Sequence, residues 1–448
     1  MFLNILLIAY ILLFSFLAWK KIDWALALVV FCLPTYLIRF TVLGIPATLL
    51  ESMILLLFLI WLARNFKKRR DFSFGGYGYL ILIFLVAATI AVFVSPDRIA
   101  AQGIWKAYFI EPILFFIVFV NSMKNREHWS LIVGALGSSA LLVAIPAIIQ
   151  KFTGFGIANP FWAAEETRRV VSWYGFPNAV GLYLAPIVVL FLGMFFWQGR
   201  RDKSRFYQGL VIVAAIAAIV FARSEGAAIG ILAAVVFLGF FFPNKKLRRT
   251  STCILMALVI LVSLITPFRS YVFEKATMSD LSGQIRVQQW KETWSMLTDG
   301  RIISGAGLAG YQTVIAPYHA EGIWIKDKGD SKWLDKVLYD EEYKKAHWQP
   351  TEIYMYPHNF FLNFWSETGL LGLLAIIALM IKFVANYWRV EEKENKKVYL
   401  VLIAVLVAIF VHGLVDAQYF KNDLSVLWWL VFAAGAVVMR DREKIKIS

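Results

Sequence analysis

The stretch Tyr356–Gly372, YPHNFFLNFWSETGLLG, joins a long polar segment of the chain to an apolar one. At about 100° per residue, its polar and aromatic side chains separate onto opposite faces of a helix. The polar half-circle holds His358, Asn359, Asn363, Ser366 and Glu367, and the other half holds Phe360, Phe361, Phe364 and Trp365. Because these polar groups are costly in lipid, the pattern predicts a helix that lines a cavity. The alternative is an amphipathic helix that lies at the membrane interface.

The composition of the whole chain is that of a membrane protein. Of its 448 residues, 60% are hydrophobic and 16% aromatic, and the mean hydropathy is +0.66, which is too apolar for a soluble enzyme. The two cysteines, Cys32 and Cys253, lie in apolar runs, so no disulfide framework is predicted. These features predict an all-α, polytopic membrane protein whose first partner is the lipid bilayer.

The charge is distributed unevenly along the chain. The net charge is +15, but residues 267–357 carry 11 Lys/Arg against 12 Asp/Glu, which leaves 34 against 18 elsewhere. The surplus cations form short clusters between apolar runs, at residues 20–21, 67–70, 200–201, 245–249 and 393–397. This is the pattern of cytoplasmic loops in membrane proteins, so the basic charge does not indicate a nucleic-acid partner.

Thirteen apolar runs are candidates for membrane-spanning helices. They cover residues 2–19, 24–38, 46–63, 77–94, 104–121, 129–149, 178–197, 207–222, 226–242, 251–266, 360–384, 398–415 and 425–439. Several are shorter than the roughly 20 residues that a perpendicular span needs, so twelve spans with one partial helix is the alternative. The first run lacks a basic start and a cleavage site, and we expect a retained span there. With thirteen spans, all basic clusters and the tail from Arg440 to Lys446 lie on the cytoplasmic side.

The predicted organisation has three parts. Residues 1–266 hold transmembrane helices with a short extracytoplasmic loop at 150–177, residues 267–357 form a large extracytoplasmic loop, and residues 358–448 hold C-terminal transmembrane helices that open with the His358-Asn359 motif.

Within the large loop, Gln284–Leu297 and Ser331–Ala346 show helical spacing of apolar side chains, which predicts amphipathic helices over the membrane surface. Between them, Gly305–Gly310 matches GxGxxG. A dinucleotide site would need a preceding strand, a following helix and an acidic residue about 20 positions on, so a tight glycine turn is the preferred interpretation.

The titratable residues limit the kinds of catalytic site that the sequence can form. The five histidines form no HxxxH or HExxH pair, and no GxSxG motif occurs, so neither a metal nor a cofactor is predicted. The extracytoplasmic segments contain Arg169, Arg223 and Arg286, and the guanidinium fork suits phosphate oxygens. Each arginine could instead pair with a lipid headgroup or with a local carboxylate such as Glu225. Lys106 and Glu111 lie five residues apart within one span, where they could pair or face a cavity.

Four blocks of sequence resemble the O-antigen ligase and O-antigen polymerase superfamily of membrane glycosyltransferases. They are Arg169–Leu184 (RVVSWYGFPNAVGLYL), Arg286 with Trp290 and the SGAGLAGY that follows, His358-Asn359 with Leu362, Glu367, Gly369 and Gly372, and a weaker block from His412 to Asp416. The resemblance spans roughly residues 169–429. In one place the chain departs from the family, because Ser224-Glu225-Gly226 stands where Ser-Arg-Gly is usual, with Arg223 two positions before the expected arginine.

The resemblance implies a metal-independent, inverting transfer of a glycan from a polyprenyl diphosphate donor to an acceptor hydroxyl. His358 would be the catalytic base, Arg169, Arg286 and Arg223 would bind the diphosphate, and Asn359, Asn363 and Glu367 would orient the imidazole or bind sugar hydroxyls. The enzyme would lie in the inner membrane, with several spans and an extracytoplasmic active site. The acceptor would be a glycan, a lipid or a protein. A ligase is favoured; a polymerase of the same superfamily is the alternative, and a lipid-linked glycan transporter is a remote one.

Overall fold

The computed structural model describes residues 2–42, 44–66, 72–123, 128–197, 203–242, 245–326, 330 and 332–440. The predicted basic clusters at 67–70 and 200–201, Ser331 and the tail beyond residue 440 lie outside these residues. Within the described residues most of the apolar runs form helices, because in lipid a helix satisfies its backbone groups within one segment.

The first part of the chain contains twelve α-helices among the described residues and a small hairpin. They are α1 (Phe2–Lys20), α2 (Ile22–Phe31), β1 (Arg39–Val42), β2 (Ile45–Thr48), α3 (Leu49–Phe66), α4 (Gly78–Val94), α5 (Arg98–Ile104), α6 (Glu111–Ser122), α7 (Trp129–Thr153), α8 (Pro160–Ala163), α9 (Pro177–Trp197), α10 (Lys203–Phe221), α11 (Glu225–Phe241) and α12 (Lys245–Leu264). A 3-10 helix (Leu33–Leu37) follows α2, and a π-helix (Trp105–Ile110) joins α5 to α6.

The remaining elements are those of the loop and of the C-terminal helices. They are α13 (Thr266–Ala276), α14 (Leu281–Met296), α15 (Tyr311–Ile315), β3 (Gly322–Trp324), α16 (Trp333–Tyr339), α17 (Glu341–Ala346), β4 (Trp348–Pro350), α18 (Phe360–Asn386), α19 (Lys393–Gly413) and α20 (Asn422–Arg440). A π-helix (Leu297–Arg301) follows α14, and 3-10 helices lie at Ala316–Tyr318 and Tyr387–Arg389. β1 pairs antiparallel with β2, and β3 with β4.

The protein is an all-α, multi-pass membrane protein. Within the described ranges, eight helices are long and apolar enough to cross a membrane, and four apolar helices of 10–17 residues accompany them. The spans are Leu49–Phe66, Arg98–Ser122, Trp129–Thr153, Pro177–Phe196, Ser204–Phe221, Phe360–Arg389, Lys393–Gly413 and Asn422–Arg440. The fold class is confirmed, whereas the count of twelve or thirteen spans and the three-part division stay predictions.

The predicted span at residues 24–38 is not a continuous helix. α2 ends at Phe31 after 10 residues, and Pro34 lies in the 3-10 helix that follows. Ten residues rise only about 15 Å, which is half of a bilayer core. This segment was predicted wrongly as one helix because hydropathy measures apolarity and not helix continuity.

The C-terminal helices form the centre of the bundle. α20 is buried along nearly its whole length, and α19 packs against α9 and α11. The largest fully buried side chains include Trp428, Trp429 and Tyr399 of these two helices. A helix that is apolar on all sides, as α20 is, belongs inside a larger bundle.

The glycine turn of the loop packs against a break in α18. Gly369 has φ 68° and ψ −178°, which divides the helix. The backbone N–H of Ala306 donates to the Ser366 carbonyl at 2.6 Å, and that of Leu370 donates to the Ile303 carbonyl at 3.0 Å. The predicted turn is therefore also the element that holds the loop onto α18.

Both predicted loop helices form, the second as two pieces. Residues 284–297 lie in α14 and the start of the following π-helix, and residues 333–346 form α16 and α17. The division falls at Asp340, whose Oδ1 accepts hydrogen bonds from the N–H groups of Glu342 and Tyr343 at 3.1 and 3.0 Å. Asp340 caps α17 in this way.

Candidate active site

His358 lies in a tight turn directly before α18. Its φ is 47°, a left-handed conformation that is uncommon outside glycine and that often marks functional sites. The indole Nε1 of Trp290 donates to the Pro357 carbonyl at 2.8 Å, so α14 holds the turn. Asn359 is the N-cap of α18, and its Oδ1 accepts from the N–H groups of Phe361 and Leu362 at 3.0 and 3.1 Å.

The imidazole of His358 is oriented by a buried amide. Nδ1 lies 3.2 Å from Oε1 of Gln289, a residue of α14. Because an amide oxygen only accepts hydrogen bonds, this contact places the ring proton on Nδ1 and the lone pair on Nε2. The Tyr354 ring meets the imidazole edge to face at a centroid distance of 5.1 Å. In its neutral form, with Nδ1 donating to Gln289, the His358 imidazole carries its basic lone pair on Nε2.

Asp416 brings a carboxylate to the same site. Its Oδ2 accepts from Nδ2 of Asn178 at 3.2 Å, and its Oδ1 accepts from the Ala417 N–H at 2.8 Å. Burial acts to raise the pKa of Asp416, but His358, His412, the Ala417 N–H and Arg286 together hold it below its usual range. Asp416 is therefore an ionised group that interacts electrostatically with the imidazole.

Opposing effects act on the pKa of His358. Burial, the largest effect, lowers the pKa below its usual 6.5, Asp416 raises it and Arg286 lowers it. A backbone carbonyl contact at Tyr356 also acts to raise it. The imidazole is consequently neutral near pH 7, which is the form that can accept a proton.

The three predicted arginines come from separate segments of the chain, and Arg223 and Arg286 both act electrostatically on Arg169. The pKa of Arg169 is lowered by burial and by the charges of Arg223 and Arg286, with Glu225 opposing them. Like charges brought together in a partly buried site are costly without an anion between them. This convergence is a feature that the positions of the residues in the sequence do not show.

The three arginines differ in how many of their donors are used. Arg169 donates to the carbonyls of Ala222 and Arg223 at 3.0 and 3.4 Å and to Oδ1 of Asn178 at 3.1 Å. Arg286 donates only to Ser282 Oγ, at 2.8 Å, and its buried Nε has no partner among the described residues. Arg223 is exposed, with φ 51°, and its side chain has no hydrogen bond or ion pair within the described part of the chain. Arg286 and Arg223 therefore keep most of their donors for a ligand.

Glu225, which replaces the expected family arginine, is neutralised by α13. Its carboxylate lies 2.7 Å from Lys275 Nζ and accepts from the Tyr271 hydroxyl at 2.7 Å. The substitution thus removes a cation from this turn without leaving an unpaired anion beside Arg223.

The polar side chains predicted along α18 differ in their surroundings. Asn359 is engaged at both ends, because its Nδ2 also donates to the Leu414 carbonyl at 3.0 Å. Glu367 is buried, and its Oε2 accepts from the Ala309 N–H of the glycine turn at 2.8 Å. Asn363 is fully buried, and neither polar atom of its amide has a partner among the described residues. Their predicted sugar-orienting roles stay predictions.

Two further expectations concern a charged pair within one span and the absence of a metal site. Lys106 pairs with Glu51 of α3 at 2.5 Å rather than with Glu111. Within the described residues, no group of three or more His, Cys, Asp or Glu side chains could hold a metal ion.

Sequence reasoning missed three groups of this site. Gln289 contacts His358, and Asn178 contacts both Arg169 and Asp416, through pairings that only the fold brings about. Asn178 and Asp416 lie within blocks that carry the family resemblance, which was the available signal. Gln289 gave none, because its role depends on a contact across 69 positions.

Comparison with known families relates part of the chain to one of them. Residues 210–377 match the family model described as O-antigen ligase. The predicted relationship to this superfamily is confirmed. The match contains Arg223, Arg286 and His358 but not Arg169 or Asp416. It supports a membrane glycosyltransferase of the O-antigen ligase or polymerase type. No curated protein sequence gives a significant match to the chain.

Proposed function

We propose that this O-antigen ligase-like protein moves a glycan from a polyprenyl diphosphate carrier to an acceptor hydroxyl on the extracytoplasmic face of the inner membrane. The observation that carries the proposal is that Arg169 interacts electrostatically with Arg223 and Arg286, and that Arg286 in turn acts on the buried His358. Three cations close enough to act on one another suit a diphosphate, and a neutral imidazole within the influence of one of them suits deprotonation of a hydroxyl. The charge asymmetry of the chain supports an extracytoplasmic position for residues 267–357.

In the proposed reaction, His358 Nε2 takes the proton of the acceptor hydroxyl as that oxygen bonds to the anomeric carbon. The bond from the anomeric carbon to the phosphate oxygen breaks, and the carrier diphosphate leaves. A single displacement inverts the anomeric centre. Asp416 stabilises the imidazolium that forms, and the arginines stabilise the charge that grows on the leaving diphosphate, so this chemistry is proposed to proceed without a metal.

The arginines provide the test. In a bidentate contact, Arg→Lys keeps the charge but loses the paired geometry, so transfer should fall nearly as far as with Arg→Ala. We expect Arg286→Lys and Arg223→Lys to lose about 10- to 150-fold in transfer from a purified lipid-linked donor. Arg169→Lys should also lose transfer, but it is the less decisive variant because Arg169 additionally binds the turn at Ala222–Arg223.

Arg301→Lys is the matched control. Arg301 lies in the same loop, and its guanidinium contacts the glycine turn, with Nη1 at 3.5 Å from the Gly305 carbonyl. Folding is checked by monodisperse elution in detergent. Near-normal transfer by both Arg286→Lys and Arg223→Lys would contradict the diphosphate role. Analysis of the product decides between the two enzyme types, since a ligase yields a glycan on a different acceptor and a polymerase yields a longer carrier-linked glycan.

A further inference from the structure

A shallow pocket lies on the loop hairpin, and its lining contains no residue of the His358 turn. Trp324 and Trp348 occupy paired positions of β3 and β4, and their ring centroids lie 4.7 Å apart at an interplanar angle of 57°. Together with Glu341, Lys344 and Lys345 of α17, they line a cavity of about 260 Å³. Both rings stay open to solvent, with 39% of Trp324 and 37% of Trp348 exposed.

The backbone holds the aromatic pair in place. Gly322 lies beneath the Trp348 ring, and a Cβ at this position would collide with the indole. The hairpin itself is tied to α14, because Glu292 accepts from the Ala320 N–H at 3.0 Å and contacts His319 Nδ1 at 3.2 Å. The exposed rings are thus held on a rigid support and not on a free loop.

The chemistry of the pocket is amphipathic. Lys344 Nζ lies 5.7 Å from the centroid of Trp324 and 3.7 Å from Glu341 Oε1. Indole faces pack against the C–H faces of a sugar ring, while a carboxylate and ammonium groups can bind the hydroxyls at its edge. An aromatic and lysine surface can also lie in lipid headgroups, but this one presents in addition the exposed carboxylate of Glu341, which can accept hydrogen bonds from sugar hydroxyls.

We infer that Trp324, Trp348, Glu341 and Lys345 form a glycan-binding subsite that holds a sugar unit remote from the reacting end. The identity of this glycan as the transferred substrate rests on the proposed function. Binding of the sugar chain itself does not, because the subsite contains neither His358 nor an arginine of the diphosphate site.

The test uses the full-length protein in lipid nanodiscs and the cell-surface polysaccharide of the source organism, freed from its carrier by mild acid. Binding to immobilised polysaccharide is measured by biolayer interferometry. We expect Trp348→Ala and Trp324→Ala each to weaken binding about tenfold or more. Trp388→Ala is the matched control, because Trp388 is 72% exposed but lies at the far end of α18.

Two further measurements separate the alternatives. His358→Ala and Arg286→Lys should bind the carrier-free polysaccharide normally even when transfer is lost, so failure of the transferase proposal is distinct from failure of the subsite. Quenching of tryptophan fluorescence by brominated lipids should be equal in the wild type and in Trp348→Ala. Unchanged binding in a Trp324→Ala/Trp348→Ala double variant, no binding by the wild type, or quenching that falls in Trp348→Ala would each overturn the inference; the last would assign this surface to the membrane.

Discussion

The His358 turn directly precedes α18 and the Gly369 break lies within it, about three helical turns further on, and the two regions use their polar groups in opposite ways. At the break, the Glu367 carboxylate accepts from Ala309, and Trp365 Nε1 donates to the Ile302 carbonyl at 2.6 Å. At the turn, His358 Nδ1 contacts Gln289, whereas Arg286 uses one donor on Ser282 Oγ and its buried Nε has no partner among the described residues. A sequence pattern shows only that both regions are polar.

This difference separates structure from chemistry. Buried polar groups normally have hydrogen-bond partners, and a group that has them contributes to stability. A group whose protein partners fix its orientation but leave its reactive atom unused is prepared for a substrate. Substitutions at the turn should therefore change transfer more than stability, and substitutions at the break should do the reverse.

The largest effect is expected from His358→Ala. Loss of a general base should lower transfer by about 10²- to 10⁴-fold, while donor binding and the thermal unfolding midpoint in detergent stay close to wild type. His347→Ala is a suitable control, since that ring stacks on Tyr343 in the loop at 3.8 Å. A folded His358→Ala variant that keeps more than a tenth of wild-type transfer would show that His358 is structural. Equal loss of donor binding would show that it is not the base.

Gly369→Ala should have the opposite effect, lowering the thermal stability of the protein more than its transfer activity. The backbone at φ 68° and ψ −178° is accessible almost only to glycine, and an added Cβ would collide with the Ile303 carbonyl. Such a conformation costs roughly 1–3 kcal/mol for other residues, so the unfolding midpoint should fall by several degrees. In α10, Gly209 has open space around its Cα, and Gly209→Ala should leave stability equal or slightly higher. Equal midpoints for Gly369→Ala and wild type would remove the structural role of the break.

The pH dependence of transfer should show whether neutral His358 is the active form of the turn. A neutral His358 is the active form, so kcat/KM is lost as the pH falls through its pKa, which burial places below 6.5. Asp416 raises this pKa, so Asp416→Asn should move the acidic limb to lower pH. Arg286 lowers it, so Arg286→Gln should move the limb to higher pH. The check is kcat/KM measured between about pH 5 and 8. Limbs that move together, or not at all, would show that these groups do not act on His358.

The two regions also differ in how far the sequence could predict them. Hydropathy placed the spans because burial in lipid depends on local apolar composition, and the glycine turn followed from local backbone chemistry. The hydropathy pattern gave a wrong prediction at residues 24–38, where α2 ends and Pro34 lies in a 3-10 helix, so that no continuous helix forms. The family resemblance identified His358 and the three arginines, but no local pattern could show that Gln289 orients the imidazole or that Glu367 holds the loop. Those roles depend on contacts between segments that are far apart in the chain.

Substitution of Asn363 should have the smallest effect on stability. It tests whether a buried polar group of α18 serves the fold or the substrate. Asn363 lies one turn after Asn359 on the same face of α18, fully buried and without a protein partner among the described residues. A buried amide left unsatisfied costs about 1–3 kcal/mol, and an apolar residue of similar size can be neutral or stabilising. Asn363→Leu should therefore keep or raise the unfolding midpoint, whereas Asn359→Leu, which removes a helix cap, should lower stability by about 1 kcal/mol. Both variants are measured by thermal unfolding and by transfer from the lipid-linked donor.

A stable Asn363→Leu variant with transfer reduced more than tenfold would support the predicted sugar-orienting role, and unchanged transfer would reject it. A lower midpoint would contradict the comparison itself, because it would show that this amide, like Glu367, stabilises the fold.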